Sequence, residues 1–322
     1  MFLDAELSLY RDLCPLGSPR RTLADLTLIE PIQDGLSIAR HAALNALKES
    51  AGRAARAPLR AHMQNRDDVS QIQRMVYCPA RIFTMGTDIQ EHGKGPAHAV
   101  RLSRAYWMGQ TPVTQDLYEY VMGVNPSHFK GLRRPVERVS WLDAVRFCNR
   151  LSELEGRPRV YLLSGEEGQE RVEIDHRQPG YRLPTEAEWE SAARASNALH
   201  RFAGGNDLEL LGWSKEHCAE TQEVALKLPN AWHLYDMSGN VLEWCVDMFQ
   251  AGLYQQRDVR SVTVDPCVLN STETSTKRIL RGGSYYNEAS YAHICYRGFS
   301  DEHTKSASVG FRVALSILND IT

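Results

Sequence analysis

The chain has 322 residues, with 37 basic and 40 acidic side chains and a formal charge of −3. That balance supplies no overall field for nucleic acid, and no stretch approaches the roughly 18 consecutive apolar residues of a membrane helix. Asp4 and Glu6 break the apolar run that a secretion signal would need, so the expected location is the cytoplasm.

Residues 1–74 read as a helical N-terminal appendage, rich in Ala, Leu and Arg. Arg53, Arg56, Arg60 and Arg66 make it basic; a contact for a further partner and a solvated helix face both remain open there. From residue 75 the pattern changes. MVYCPARIFTMG and HAVRLSRAYWMGQ read as strands around the turn-rich loop TDIQEHGKGPA.

Three helix starts follow. Thr114 should cap a helix over 115–122 that stops at Gly123. Ser140 with Asp143 should form a capping box for 141–155, and Thr185 with Glu188 another for 186–194. Trp189 reads as an anchor between helix and sheet. Beyond residue 195 the chain is dense in Gly, Asn, Asp and Trp, with no long helical period. The seven cysteines include no CxxC pair and are odd in number, which favours free buried thiols.

The ordered segments 75–86, PVTQDLYEYVMGVNPSHF, RPVERVSW, YRLPTEAEWESAAR, PNAWHLYDMSGNVLEWCVD, RILRGGSYY and VGFRVA carry a resemblance. They are similar to the formylglycine-generating enzyme, or sulfatase-modifying factor, domain. The resemblance covers about 75–315 and implies one domain over 75–318. Its fold would be α+β, a variant of the C-type lectin fold with much irregular structure. It also implies a structural Ca²⁺ held by Asn240, the Val241 carbonyl and Glu243. Read from the residues alone, Asn240 could instead cap a turn, with Glu243 paired to a buried Arg.

Catalytic members of this family oxidise a substrate cysteine with dioxygen and Cu(I), a soft ion held by two thiolates. Here the two ligand positions are Ala292 and Arg297, so no copper is expected and the oxidoreductase reading is disfavoured. Cys295 lies between them and reads as a buried thiol. A second enzyme branch, the iron-dependent sulfoxide synthases, needs a histidine pattern that His41 and His62 do not make.

What stands between RGGS and GFRVA is a recognition palette. Tyr285, Tyr286, Asn287, Ser290, Tyr291, His293, Tyr296, Phe299, Ser300, Asp301, His303 and Thr304 combine aromatic contact area with short polar groups. The stretch is similar to the variable segment of diversity-generating retroelement proteins. Those are non-catalytic binders with the same domain. The expected partner is therefore an unidentified macromolecule, most simply a protein. A pseudoenzyme adaptor that binds elsewhere is the remaining alternative.

Overall fold

The computed structural model describes residues 73–88, 95–165, 170–175, 177–195, 200–257, 260–269 and 276–317. All lie in the unit Arg66–Thr322. The expected appendage, apart from its last two residues, and the centre of the TDIQEHGKGPA loop fall outside the described residues.

In chain order the elements are β1 (Met75–Cys78), β2 (Arg81–Met85), β3 (His98–Leu102), β4 (Tyr106–Gly109), α1 (Gln115–Met122) and α2 (Trp141–Leu154). There follow β5 (Tyr161–Ser164), β6 (Arg171–Ile174), β7 (Tyr181–Arg182), α3 (Glu186–Arg194) and the single turn α4 (Leu208–Leu211). The last part holds β8 (Leu242–Met248), β9 (Thr263–Val264), β10 (Lys277–Arg281), a 3-10 turn (Ala289–Ala292), β11 (Gly298–Asp301), β12 (Val309–Gly310) and β13 (Ala314–Ser316). This is the mixed α+β architecture with little regular structure that the motifs imply.

The sheets are small, and they tie distant segments together. One runs β1-β4-β13-β7, joining the start of the domain to its end. A second runs β11-β10-β8-β12 and carries the recognition strip at its edge. A third runs β2-β3-β9. In β2 and β3 the alternation works as period-2 chemistry should. Phe83, Met85, Val100 and Leu102 enter the core while Thr84 and Arg101 face out.

The three long helices start close to where their caps predict. Both capping boxes are present: Ser140 accepts from the Asp143 N–H and Thr185 from the Glu188 N–H, each answered in reverse. Thr114 differs. Its hydroxyl makes no cap bond and donates instead to the Asp116 carboxylate. That carboxylate also accepts the Leu117 N–H at 2.8 Å, so Asp116 does the local work assigned to the threonine. Gly123 closes α1 with φ 77°, the left-handed conformation glycine adopts without strain.

The core has two main parts. Ala144, Cys148 and Leu151 bury one face of α2 alongside Tyr118, Phe147 and Phe311. Tyr118 stacks on Phe147 at 5.3 Å, and Phe311 meets Phe147 edge-on at 5.2 Å. The second part packs α3, through Ala192, Ala193 and Trp189, against β2, β3 and β10.

Candidate recognition surface

Two buried arginines frame the 285–304 strip. Arg281, at the end of β10, donates to Glu190 of α3 and to the Tyr296 carbonyl. Arg312, in GFRVA, forms a bidentate pair with Glu243 at 2.6 and 2.7 Å. It also reaches the carbonyls of Gly109 and Tyr235 at 3.0 and 2.9 Å. Between these posts Gly283 turns the chain with φ 69°, and a Cβ there would sit 2.8 Å from Tyr291 and Ala292 backbone. Only glycine meets both demands.

The strip does not behave as one surface. Tyr285 is buried and packs edge-on against Phe129 at 5.4 Å. Asn287 accepts from the Ser284 hydroxyl at 2.7 Å, so its side chain serves the turn. His293 packs against Phe202 at 5.3 Å and lies in irregular chain ahead of β11. Tyr296 is half-buried under Tyr291, ring to ring at 4.8 Å. Ser300 and Thr304 bond to one another at 2.9 Å, and Asp301 accepts the His303 N–H at 2.9 Å, closing the turn after β11.

What stands out to solvent is a smaller set. Tyr286 is 72% exposed, Tyr291 38% and Phe299 44%. Ser290, Asp301 and His303 are exposed beside them in the sequence. Phe299 lies on the edge strand β11, stacked on Phe249 at 4.0 Å with the Lys277 ammonium 4.9 Å from its ring. Phe249 and the Lys215–Glu288 pair, at 2.7 Å, were not singled out from the sequence; nothing in a local pattern marks contacts made across 50 or more residues. A cleft of about 590 Å³, lined by Ser103, Arg104, Arg182, Glu188, Asp265 and Cys267 among others, shares no residue with the strip.

The copper positions are explicit. Ala292 is buried beside Phe202, Leu208 and Leu211. Arg297 makes a bidentate pair with Glu186 at 2.6 and 2.9 Å. A methyl group and a guanidinium offer nothing to a soft cation, so the residues present do not fit copper. Cys295 is half-buried where a buried thiol was expected, because it sits in the irregular link ahead of β11; Cys218 and Cys267 are likewise half-buried.

Two of the three expected calcium donors, Glu243 and Asn240, are engaged by protein. Both Glu243 oxygens face Arg312, and one also accepts the Trp189 indole N–H at 2.7 Å. Asn240 accepts the Gln222 N–H at 3.0 Å and donates to the Gln222 carbonyl at 3.1 Å. Val241 is fully buried behind them. A guanidinium already balances the carboxylate, so the side chains of Glu243 and Asn240 do not fit a hard cation as they stand. Nearby Asp236 is pushed up to about 6 by burial, which weakens it further as a charged donor at mildly acid pH. Chelator is expected to leave the melting temperature unchanged. A fall in that temperature, restored by added calcium, would reinstate the metal.

Arg312 and Arg281 are the functional residues that sequence reasoning passed over. The signal was their place inside the two motifs that bound the strip, RGGS and GFRVA.

With this geometry in hand, comparisons place the chain among known proteins. The "Sulfatase-modifying factor enzyme 1-like domain" matches residues 60–317. "Chaperone protein LppX" of Paenibacillus barcinonensis is 31% identical over 242 residues, 66% of this chain and 80% of its own length. The "Formylglycine-generating enzyme" of Streptomyces coelicolor is 36% identical over 153 residues, 42% of this chain, and the match spans less than half, 46%, of that enzyme. Among solved structures, "Treponema denticola variable protein 1" aligns with a TM-score of 0.67 and 31% identity, over 76% of this chain and 95% of that one.

Proposed function

We propose that this chain, which belongs to the sulfatase-modifying factor enzyme 1-like family, binds a protein partner through the exposed aromatics of its C-terminal strip. The observation that carries the reading is the exposure of Tyr286, Tyr291 and Phe299 on backbone held by buried arginine pairs. Aromatic rings with two χ angles lose little entropy on contact, and a rigid frame lowers the ordering cost further. The same region would hold thiolates in a catalytic member, and here it holds Arg297 locked to Glu186. The names of LppX and the Treponema protein, a chaperone and a variable protein, support binding over turnover.

The test is capture of partners with wild type and with a Tyr286→Ala, Tyr291→Ala, Phe299→Ala triple variant. Each truncation should weaken binding, the central ones by about 2 kcal/mol, while the folded state survives. A folded triple variant that keeps every specific partner would end the reading. A neighbouring reverse transcriptase gene with a near-copy of codons 280–314, differing at adenines, would establish the diversified form.

A second reading has its own support. Tyr77 and Trp107 form an exposed cross-strand pair on β1 and β4, 5.5 Å between rings, with Ile82 also exposed. An adaptor using that face would lose its partner in Tyr77→Ser, Trp107→Ser and keep it in the triple variant.

A further inference from the structure

Tyr254 is buried, and its ring is surrounded by charge. His98 meets it edge-on at 4.6 Å. The guanidiniums of Arg297 and Arg257 lie 4.2 and 5.8 Å from its centroid. Arg281 stands 3.9 Å from Glu186, the carboxylate that Arg297 grips. Arg194 and Arg281 share Glu190.

Four buried polar atoms in this cluster have no hydrogen-bond partner: Nε and Nη1 of Arg257, Nε of Arg281 and Nε2 of His98; the Tyr254 hydroxyl is turned to the Glu186 carboxylate. Arg257 makes no ion pair among the described residues. Charge is also out of balance. Among the described residues, four guanidiniums (Arg194, Arg257, Arg281, Arg297) face the carboxylates of Glu186, Glu190 and Asp247, one positive charge more than these carboxylates balance.

Buried donors left in this way are ordinarily met by an ordered ion or water. Guanidinium N–H groups only donate. A water could accept from two of them, but its own hydrogens would then need acceptors. The Nδ1 of His98 lies 3.1 Å from the Pro96 carbonyl and carries the proton in that contact, which leaves Nε2 as an acceptor for one such hydrogen. A small anion accepts from every side and balances the charge.

We propose that the unpartnered guanidinium N–H groups of Arg257 and Arg281, beside the Tyr254 ring, form a buried site for a compact inorganic anion of halide size. It lies behind the recognition strip, sharing Arg281 with the strip's frame. Glu186 and Arg297 belong to its wall, so the region that carries thiolates in catalytic relatives has here become cationic.

Two measurements test it together. Crystals of the full chain grown in bromide should show an anomalous peak within hydrogen-bond reach of Arg257 Nε and Nη1. Thermal unfolding in sodium chloride and in sodium gluconate at equal ionic strength should show a saturable rise specific to chloride. That rise should be lost in Arg257→Gln, a half-exposed position. General salt effects are common to both proteins and cancel in the comparison. Water in place of bromide, or an equal chloride response in Arg257→Gln, would overturn the site.

Discussion

Arg312→Ala should yield little folded protein. The side chain is wholly buried and gathers Glu243 together with the carbonyls of Gly109, Gln110 and Tyr235. Those acceptors come from three separate segments, so the guanidinium, itself near the end of the domain, joins that end to the start and the middle. Removing it leaves the Glu243 carboxylate buried with only the Trp189 indole as donor. Breaking one side of a buried pair costs about 3–5 kcal/mol, against a total stability of about 5–15 kcal/mol for a typical domain. Arg312→Lys keeps the charge but loses the fork, so it should recover only part of the loss. Urea unfolding of the three proteins is the measurement. An alanine variant within about 1 kcal/mol of wild type, the usual worth of a single neutral hydrogen bond, would refute the role.

This arginine also shows what the sequence could and could not carry. Helix starts were legible because a capping box is a four-residue event: Ser140 to Asp143 and Thr185 to Glu188 need nothing from elsewhere. The fold class was legible because seven motifs stood in order along the chain. The recognition strip was only half legible. Composition marked Tyr285 and Tyr286 alike, yet one packs on Phe129 and its neighbour is in solvent. That difference depends on residues more than 150 positions away. Ser300, Thr304 and Asp301 look like adaptable contacts in a list of letters and turn out to close a local turn. Glu243 raised the same ambiguity, carboxylate for a cation or for an arginine, and only the position of Arg312 separates the two.

Asp247 should make stability depend on pH, and in an unusual direction. Burial first, and the charge of Glu186 second, push its carboxyl from 3.8 up to about 7. Both its oxygens accept backbone N–H groups, from Glu186 at 2.7 Å and Val268 at 2.9 Å, and these oppose the rise without cancelling it. The folded state therefore holds this proton up to about pH 7, while the unfolded chain releases it near its model value of 3.8. Between those points the folded state binds more protons, so this group's contribution falls as pH rises. The contribution is complete below about 4 and gone above about 7. A shift of this size corresponds to roughly 4 kcal/mol. Asp247→Asn is permanently neutral and removes the dependence. Its amide can still accept from Val268 but sets N–H against the Glu186 N–H, a fixed cost of about 1–3 kcal/mol at every pH. The informative quantity is therefore the difference between the two proteins as a function of pH. The variant should gain on wild type steadily from pH 4 to pH 7 and then hold level. Neighbouring Glu186, which burial would raise but Arg297 and Arg281 hold below the usual carboxylate range, titrates in both proteins and drops out of the difference. Parallel stability curves across that interval would mean that Asp247 ionises as an ordinary carboxylate and that its burial carries no proton linkage.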